Sequence, residues 1–235
     1  MWNGNFGNTR AFLPALVAVL IGGCDAAPVP PQAPKAAGAA AEPPSLRYQV
    51  DPARNRVWFL TREGVFMHEV TTPERTVVPL PAWLWADEPY GCLPDLALGP
   101  RGEAVITSNV VPTLWRIDPD TFAVSVHPLA LDADTDKDVG FSALVYSAEH
   151  GAFFAASDLH GSLWRIDRTF KQAEKVQLSE PLPRACGLAV RPRIAQQRAN
   201  RMDRLCMRGA QESWAIDLSP DQRAAYVRAA PCARG

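Results

Sequence analysis

The sequence predicts an all-β chain of short antiparallel sheets, about four strands each, stacked one on the next. Three observations carry this. The pentapeptide LWRID occurs twice, in TLWRID from Thr113 and in SLWRID from Ser162. A large aromatic side chain recurs at nearly constant spacing, at Phe66, Trp115, Trp164 and Trp214. Around each aromatic lie four short apolar or alternating runs parted by Gly, Pro, Asn or Asp, the pattern of strands joined by turns. A repeat of ~40–50 residues with four strands is the signature of a propeller blade. The fold class is therefore all-β, a small β-propeller of about four four-stranded blades, either closed or partial.

The elements follow in order. The first repeat, residues 46–90, reads LRYQVD, RVWFLT, GVFMHEV and RTVVPL. The second, 91–138, reads PDLALGP, EAVITS, TLWRID and FAVSVHPL. The third, 139–184, reads SALVYS, GAFFAAS, SLWRID and KQAEKVQL. The fourth, 185–235, reads GLAVRP, RLCMRG, SWAIDL and AAYVRA. Alternation within the runs is imperfect, as expected of sheets packed on both faces. A four-stranded blade cannot cover its own two faces, so neighbours must. An aromatic fixed on the third strand is a wedge between blades, each buried ring removing ~150–250 Å² from water. LWRID is thus a packing element before it is anything else. Four repeats leave three architectures: a closed ring of four, an open stack completed by a partner, or further blades not legible in the pattern. The closed ring is the expectation.

Over residues 46–235 this pattern resembles bacterial propellers of the NHL, YVTN and gluconolactonase-like kind. The segment LSPDQRAAYV is similar to the SPDG…YV hairpin of YVTN repeats, with Gln222 at the place of the glycine. The resemblance implies a fold that hosts many activities. Gluconolactonase-like enzymes hold a divalent metal in the central channel with Glu, Asp and Asn side chains. The resemblance points to Asp95, Asn109 and Asp158 as the corresponding channel residues. The glutamate expected on the first blade is missing, with Gln49 nearby, so the implied set is incomplete.

The N-terminus is read separately from the fold. Arg10 precedes an apolar run, AFLPALVAVLI, that is shorter than the ~20 residues of a membrane span, and IGGC follows, ending at Cys24. This resembles the lipobox of bacterial lipoproteins. It implies a signal peptide over residues 1–23, cleavage before Cys24, and a lipid (palmitate among its acyl chains) on that cysteine. An ordinary signal peptide cut elsewhere is the alternative. Asp25 resembles an inner-membrane retention signal. Residues 24–45 are rich in Ala and Pro with almost no large apolar side chain, a composition that favours an extended tether over a core. The expected address is the bacterial cell envelope, periplasm-facing and lipid-anchored, with the membrane as one partner. A net charge of −1 over 235 residues supplies no basic footprint for nucleic acid.

With Cys24 set aside, Cys92, Cys186, Cys206 and Cys232 allow two disulfides in an exported chain. The phase of the repeats favours Cys92–Cys186 and Cys206–Cys232. There is no CxxC or CxxCH, hence no thioredoxin-like or c-type haem motif.

Candidate sites are few. WLWADEPYGC places Trp83, Trp85 and Tyr90 beside Asp87 and Glu88 in the connector between the first two repeats. Aromatics beside carboxylates form a platform for a sugar, a cation or a partner; the same residues equally serve as rim cover. Asp132, Asp134, Asp136 and Asp138 alternate in DADTDKDVG, a composition suited to calcium. Lys137 and Ala143 stand where a calcium-loop glycine and glutamate belong, and a solvated acidic connector is the plainer reading. Asp158 and His160 in SDLHGS form a candidate base pair, with no serine or cysteine nucleophile in context and GxSxG absent. The fourth repeat inserts an arginine-rich stretch, RPRIAQQRANRMDRL. No cofactor is expected beyond that calcium option. The functional expectation is a lipid-anchored envelope protein whose propeller binds a protein partner or small ligand without catalysis. The alternative is a metal-dependent propeller hydrolase or lactonase.

Overall fold

In the computed structural model the described residues are 46–87, 91–132, 139–183, 186–190, 204–208 and 213–230. Strands β1 (Arg47–Asp51), β2 (Arg56–Thr61), β3 (Gly64–Glu69) and β4 (Arg75–Val78) form the first blade, an antiparallel meander. The second comprises β5 (Leu96–Leu98), β6 (Ala104–Thr107), β7 (Thr113–Ile117) and β8 (Val124–Pro128), followed by the two-residue strand β9 (Ala130–Leu131). β10 (Ala143–Ser147), β11 (Ala152–Ser157), β12 (Ser162–Ile166) and β13 (Gln172–Leu178) make the third. β14 (Leu188–Val190), β15 (Arg204–Arg208), β16 (Ser213–Leu218) and β17 (Ala224–Ala229) make the fourth. Each run read from the sequence as a strand contains one of these strands.

The cross-strand registers explain the repeat. Trp115 stands opposite Ile106 and Val126, Trp164 opposite Ala155 and Lys175, and Trp214 opposite Met207 and Ala229. Each is the same position of its blade, and each points toward the preceding blade. Trp115 is buried with Trp58, Leu60 and Met67 of the first blade. Trp164 is buried with Ala97, Val105 and Leu114 of the second, edge-on to Phe141 at 6.3 Å. Trp214 packs, partly buried, on the core shared by the third and fourth blades. Three inter-blade cores result, each fed by alternate residues of two facing sheets.

Phe66 is the exception. It holds the equivalent register, opposite Phe59 and Val77, but is only half-buried. The cause is the order of the blades. The innermost strands β1, β5, β10 and β14 lie side by side in that sequence, and among the described residues no comparable packing joins β14 back to β1. The expectation of a closed ring is thereby corrected: the described blades form an open arc, and Phe66 points to where a preceding blade would stand.

Two joints between blades were not legible in the pattern. The outer strand β13 pairs in parallel with β17 through Gln177↔Ala224 and Leu178↔Ala225, and β9 pairs in parallel with β13 through Gln172↔Ala130 and Ala173↔Leu131. The hairpins after β7, β12 and β16 share a further feature: Phe122, Phe170 and Gln222 all adopt positive φ, 58°, 54° and 62°. At Gln222 the chain thus takes a left-handed conformation that glycine adopts more readily than any other residue.

Candidate functional site

The sequence-predicted residues do not share one place: Asn109 and Asp158 line a recess where the second blade meets the third, Trp83 packs on the core between the first and second, and Asp132 and His160 line a separate recess. The connector holding Trp83 and Trp85 is pinned by the residues that follow β6. Ser108 Oγ donates to Leu84 O at 2.6 Å, and Trp83 Nε1 donates to Thr107 O at 2.9 Å. Asn109 Oδ1 accepts the Ala86 N–H at 2.8 Å, while its Nδ2 donates to Ala86 O at 2.7 Å and Cys92 O at 3.0 Å. Trp83 stacks on Trp85 with centroids 5.5 Å apart. Asp87 pairs with Arg62, whose guanidinium lies 5.9 Å from the Trp85 ring centre. The connector is rim cover whose Trp85 edge stays half-exposed; Glu88 and Tyr90 lie outside the described residues.

Cys92, which ends that connector, is disulfide-bonded to Cys186 with Cα atoms 5.3 Å apart. Cys206 is also disulfide-bonded; its expected partner Cys232 lies outside the described residues, as does Cys24. Beside Cys92 the second and third blades enclose a recess of about 290 Å³ lined by Cys92, Asn109, Gly140, Ser142, Ser157 and Asp158, among others. Gly140 is required by close approach: a Cβ there would collide with the Asn109–Val110 backbone. Asp158 Oδ2 accepts the Cys92 N–H at 3.2 Å. Its Oδ1 is buried with no hydrogen-bond partner, and so is the Oγ of Ser157, a residue 1% exposed. A buried polar atom left unpaired costs about 1–3 kcal/mol, which makes this recess a candidate site. The sequence singled out Asp158 for a pairing with His160. His160 instead lines a separate recess with Asp132, Ser162 and Lys175. Ser157 was missed, since a serine at a strand end carries no distinctive signal.

Asp95 was noted from the sequence only as a channel residue implied by resemblance. The structure gives it a different task. Its carboxylate accepts the Leu96 N–H and the Leu144 N–H, each at 2.9 Å, and lies 3.4 Å from Arg47 Nε. One side chain therefore ties the innermost strands of the first, second and third blades. Burial pushes its pKa up to about 6, against the opposing pull of those N–H donors and Arg47. Asp132 accepts the Lys175 N–H at 2.8 Å and so closes the edge of β13. Asp134, Asp136 and Asp138 lie outside the described residues. Among the described residues no group of three His, Cys, Asp or Glu side chains is placed to hold a metal.

No family model and no curated protein matches the sequence. Solved structures do match. The virginiamycin B lyase of Staphylococcus aureus superposes with TM-score 0.50 and 13% identity over 77% of this chain and 53% of its own. Hydrazine synthase of Kuenenia stuttgartiensis gives TM-score 0.53 and 10% identity over 83% and 52%. An auxiliary nutrient binding protein of Bacteroides ovatus ATCC 8483 gives TM-score 0.54 and 12% identity over 79% and 46%. The chain spans about half the length of these solved chains. At such identities the likeness is one of fold, and with the four wedge-packed sheets it makes this chain a β-propeller domain.

Proposed function

We propose that this chain is a lipid-anchored envelope protein whose propeller binds a ligand without transforming it, and that the ligand seat is the recess between the second and third blades. The observation that carries the reading is the pair of unpartnered buried acceptors, Ser157 Oγ and Asp158 Oδ1, in a recess held by a disulfide. The polar groups around them support binding over catalysis: Asn109 is spent on the connector, and Asp95 on the strands of three blades. A seat of this size and polarity suits a small molecule presenting hydroxyl or ammonium donors.

The test is a thermal-shift screen of the full chain against amino acids, polyamines and small sugars. A compound of this class should raise the melting temperature of the native chain and lose its effect in Asp158→Asn and Ser157→Ala. Turnover of a lactone or ester that depends on an added divalent metal and on Asp158 would replace this reading with that of a hydrolase. The anchor is tested separately. Radiolabelled palmitate should be incorporated into the native chain and not into Cys24→Ala; equal labelling would remove the lipid from the account.

A further inference from the structure

The recess between the second and third blades carries one sign of charge. Among its described lining residues Asp158 is the one ionisable side chain; the rest are glycine, alanine, valine, leucine, serine, asparagine and the disulfide-bonded Cys92. The two oxygens of Asp158 are not equivalent. Oδ2 accepts the Cys92 N–H at 3.2 Å, whereas Oδ1 is buried without a partner. Ser157, a residue 1% exposed, has an Oγ that is likewise buried and unpartnered. The neighbouring polar side chains are committed elsewhere. Asn109 holds Ala86 and Cys92, and Ser142 Oγ donates to Ala156 O at 3.3 Å while accepting the Asp158 N–H at 3.1 Å. Where the wall meets solvent it is apolar, with Val110 40% exposed and Leu159 68%.

We propose that this recess takes a primary ammonium group on a short alkyl stem that carries no carboxylate. The inference rests on the reading of the recess as a ligand seat and narrows what that seat accepts. Charge decides first. A buried carboxylate oxygen gains more from a cationic donor than from a hydroxyl, because charge-assisted hydrogen bonds are roughly twice as strong as neutral ones. An alcohol or a sugar would leave the charge of Asp158 enclosed and uncompensated. An amino acid would neutralise Asp158 but bring a carboxylate of its own, for which the described lining holds no cation. Geometry decides next. A guanidinium is a planar fork that matches both oxygens of a carboxylate at once, and here Oδ2 already accepts from Cys92. An ammonium is a compact point charge with three donors: one serves Asp158 Oδ1 and a second Ser157 Oγ. The apolar wall at Ala86, Val110 and Leu159 then takes the methylenes of the stem out of water. At about 290 Å³ the recess lies at the small end of small-molecule sites, which favours a short stem. The same head group exists on free alkylamines and on lysine side chains.

Isothermal titration of the full chain in mild detergent with butylamine, 1-butanol, butylguanidine and norleucine tests the proposal. These probes share a four-carbon stem and differ in head group. Butylamine should bind at least ~10-fold more tightly than the other three. Asp158→Asn keeps an oxygen for the Cys92 N–H and removes the charge, so it should erase the preference and leave butylamine no better than 1-butanol. Ser157→Ala should weaken butylamine and keep the preference, a pattern that loss of folding does not produce. Nα-acetyl-lysine amide presents the same head group on a peptide. Its binding at the expense of butylamine would uphold the ammonium and place its source on another protein; butylamine as the tighter of the two would uphold it with a free amine as the source. If 1-butanol or norleucine matched butylamine, with both still dependent on Ser157 and Asp158, the ammonium would be overturned and the seat would remain. Absence of binding by every probe would also overturn the inference, and the seat itself would then stand or fall with the sugars of the thermal-shift screen.

Discussion

At the scale of single residues, Asp95 shows how a buried carboxylate can organise a stack of blades and remain costly. Its pKa is raised from 3.8 to about 6 mainly because burial disfavours the charge. The unfolded chain therefore releases this proton at lower pH than the folded chain does. Between about pH 4 and 6 the folded state binds more protons, so this group's contribution to stability is full below that window and declines as pH rises through it. His127 and His150 act in the opposite sense: burial lowers their pKa values, so protonation at falling pH favours unfolding. The difference between native chain and Asp95→Asn isolates the carboxylate. The stability advantage of the native chain over Asp95→Asn should shrink as pH rises from 4 to 7, measured by denaturant unfolding at each pH. Asp95→Ala, which strands the Leu96 and Leu144 N–H groups, should cost about 1–3 kcal/mol at pH 4. Gln222 poses a second residue-level trade. It holds a φ of 62° and its Oε1 accepts Arg165 Nε at 2.7 Å, across from the third blade to the fourth. Glycine would relieve the backbone and alanine would not, while both lose the bond to Arg165. Gln222→Gly should therefore be less destabilising than Gln222→Ala in chemical denaturation.

At the scale of elements, the strands were legible because each carries its own punctuation: GlyPro after β5, the ProAsp hairpins after β7 and β16, Gly151 before β11. The phase of the repeat was legible too, since a large aromatic marks the same position on each third strand. What the sequence hid are contacts made by ordinary residues at strand ends. Ser157 and the parallel joints of β13 with β9 and β17 depend on where neighbouring blades end, which no local pattern encodes. The connector aromatics were visible, but their commitment to Thr107 and Asn109 was not. The disulfide between Cys92 and Cys186 was readable from phase because both cysteines precede an innermost strand. Its sequence separation is 94 residues, and closing so long a loop is worth about 2–5 kcal/mol in cross-linked chains. Cys92→Ala with Cys186→Ala should lose stability of that order and should also weaken ligand binding at the adjoining recess, both measurable by thermal shift.

At the scale of the whole molecule, the described blades make an arc with three filled inter-blade cores and an uncovered first face. The repeat told how one blade meets the next; it could not tell whether the last meets the first, because closure depends on the angle each wedge sets. The arc and its uncovered end follow from one claim, that each third-strand aromatic is a wedge against the blade before it and that among the described residues no such blade stands before Phe66. The most direct test compares Trp164→Ala with Phe66→Ala by denaturant unfolding. Trp164, fully buried, should cost about 3–5 kcal/mol, and Phe66 less than ~1.5 kcal/mol, as expected for a half-exposed side chain. Equal losses at the two positions would contradict the open arc and mean that a blade covers Phe66 after all.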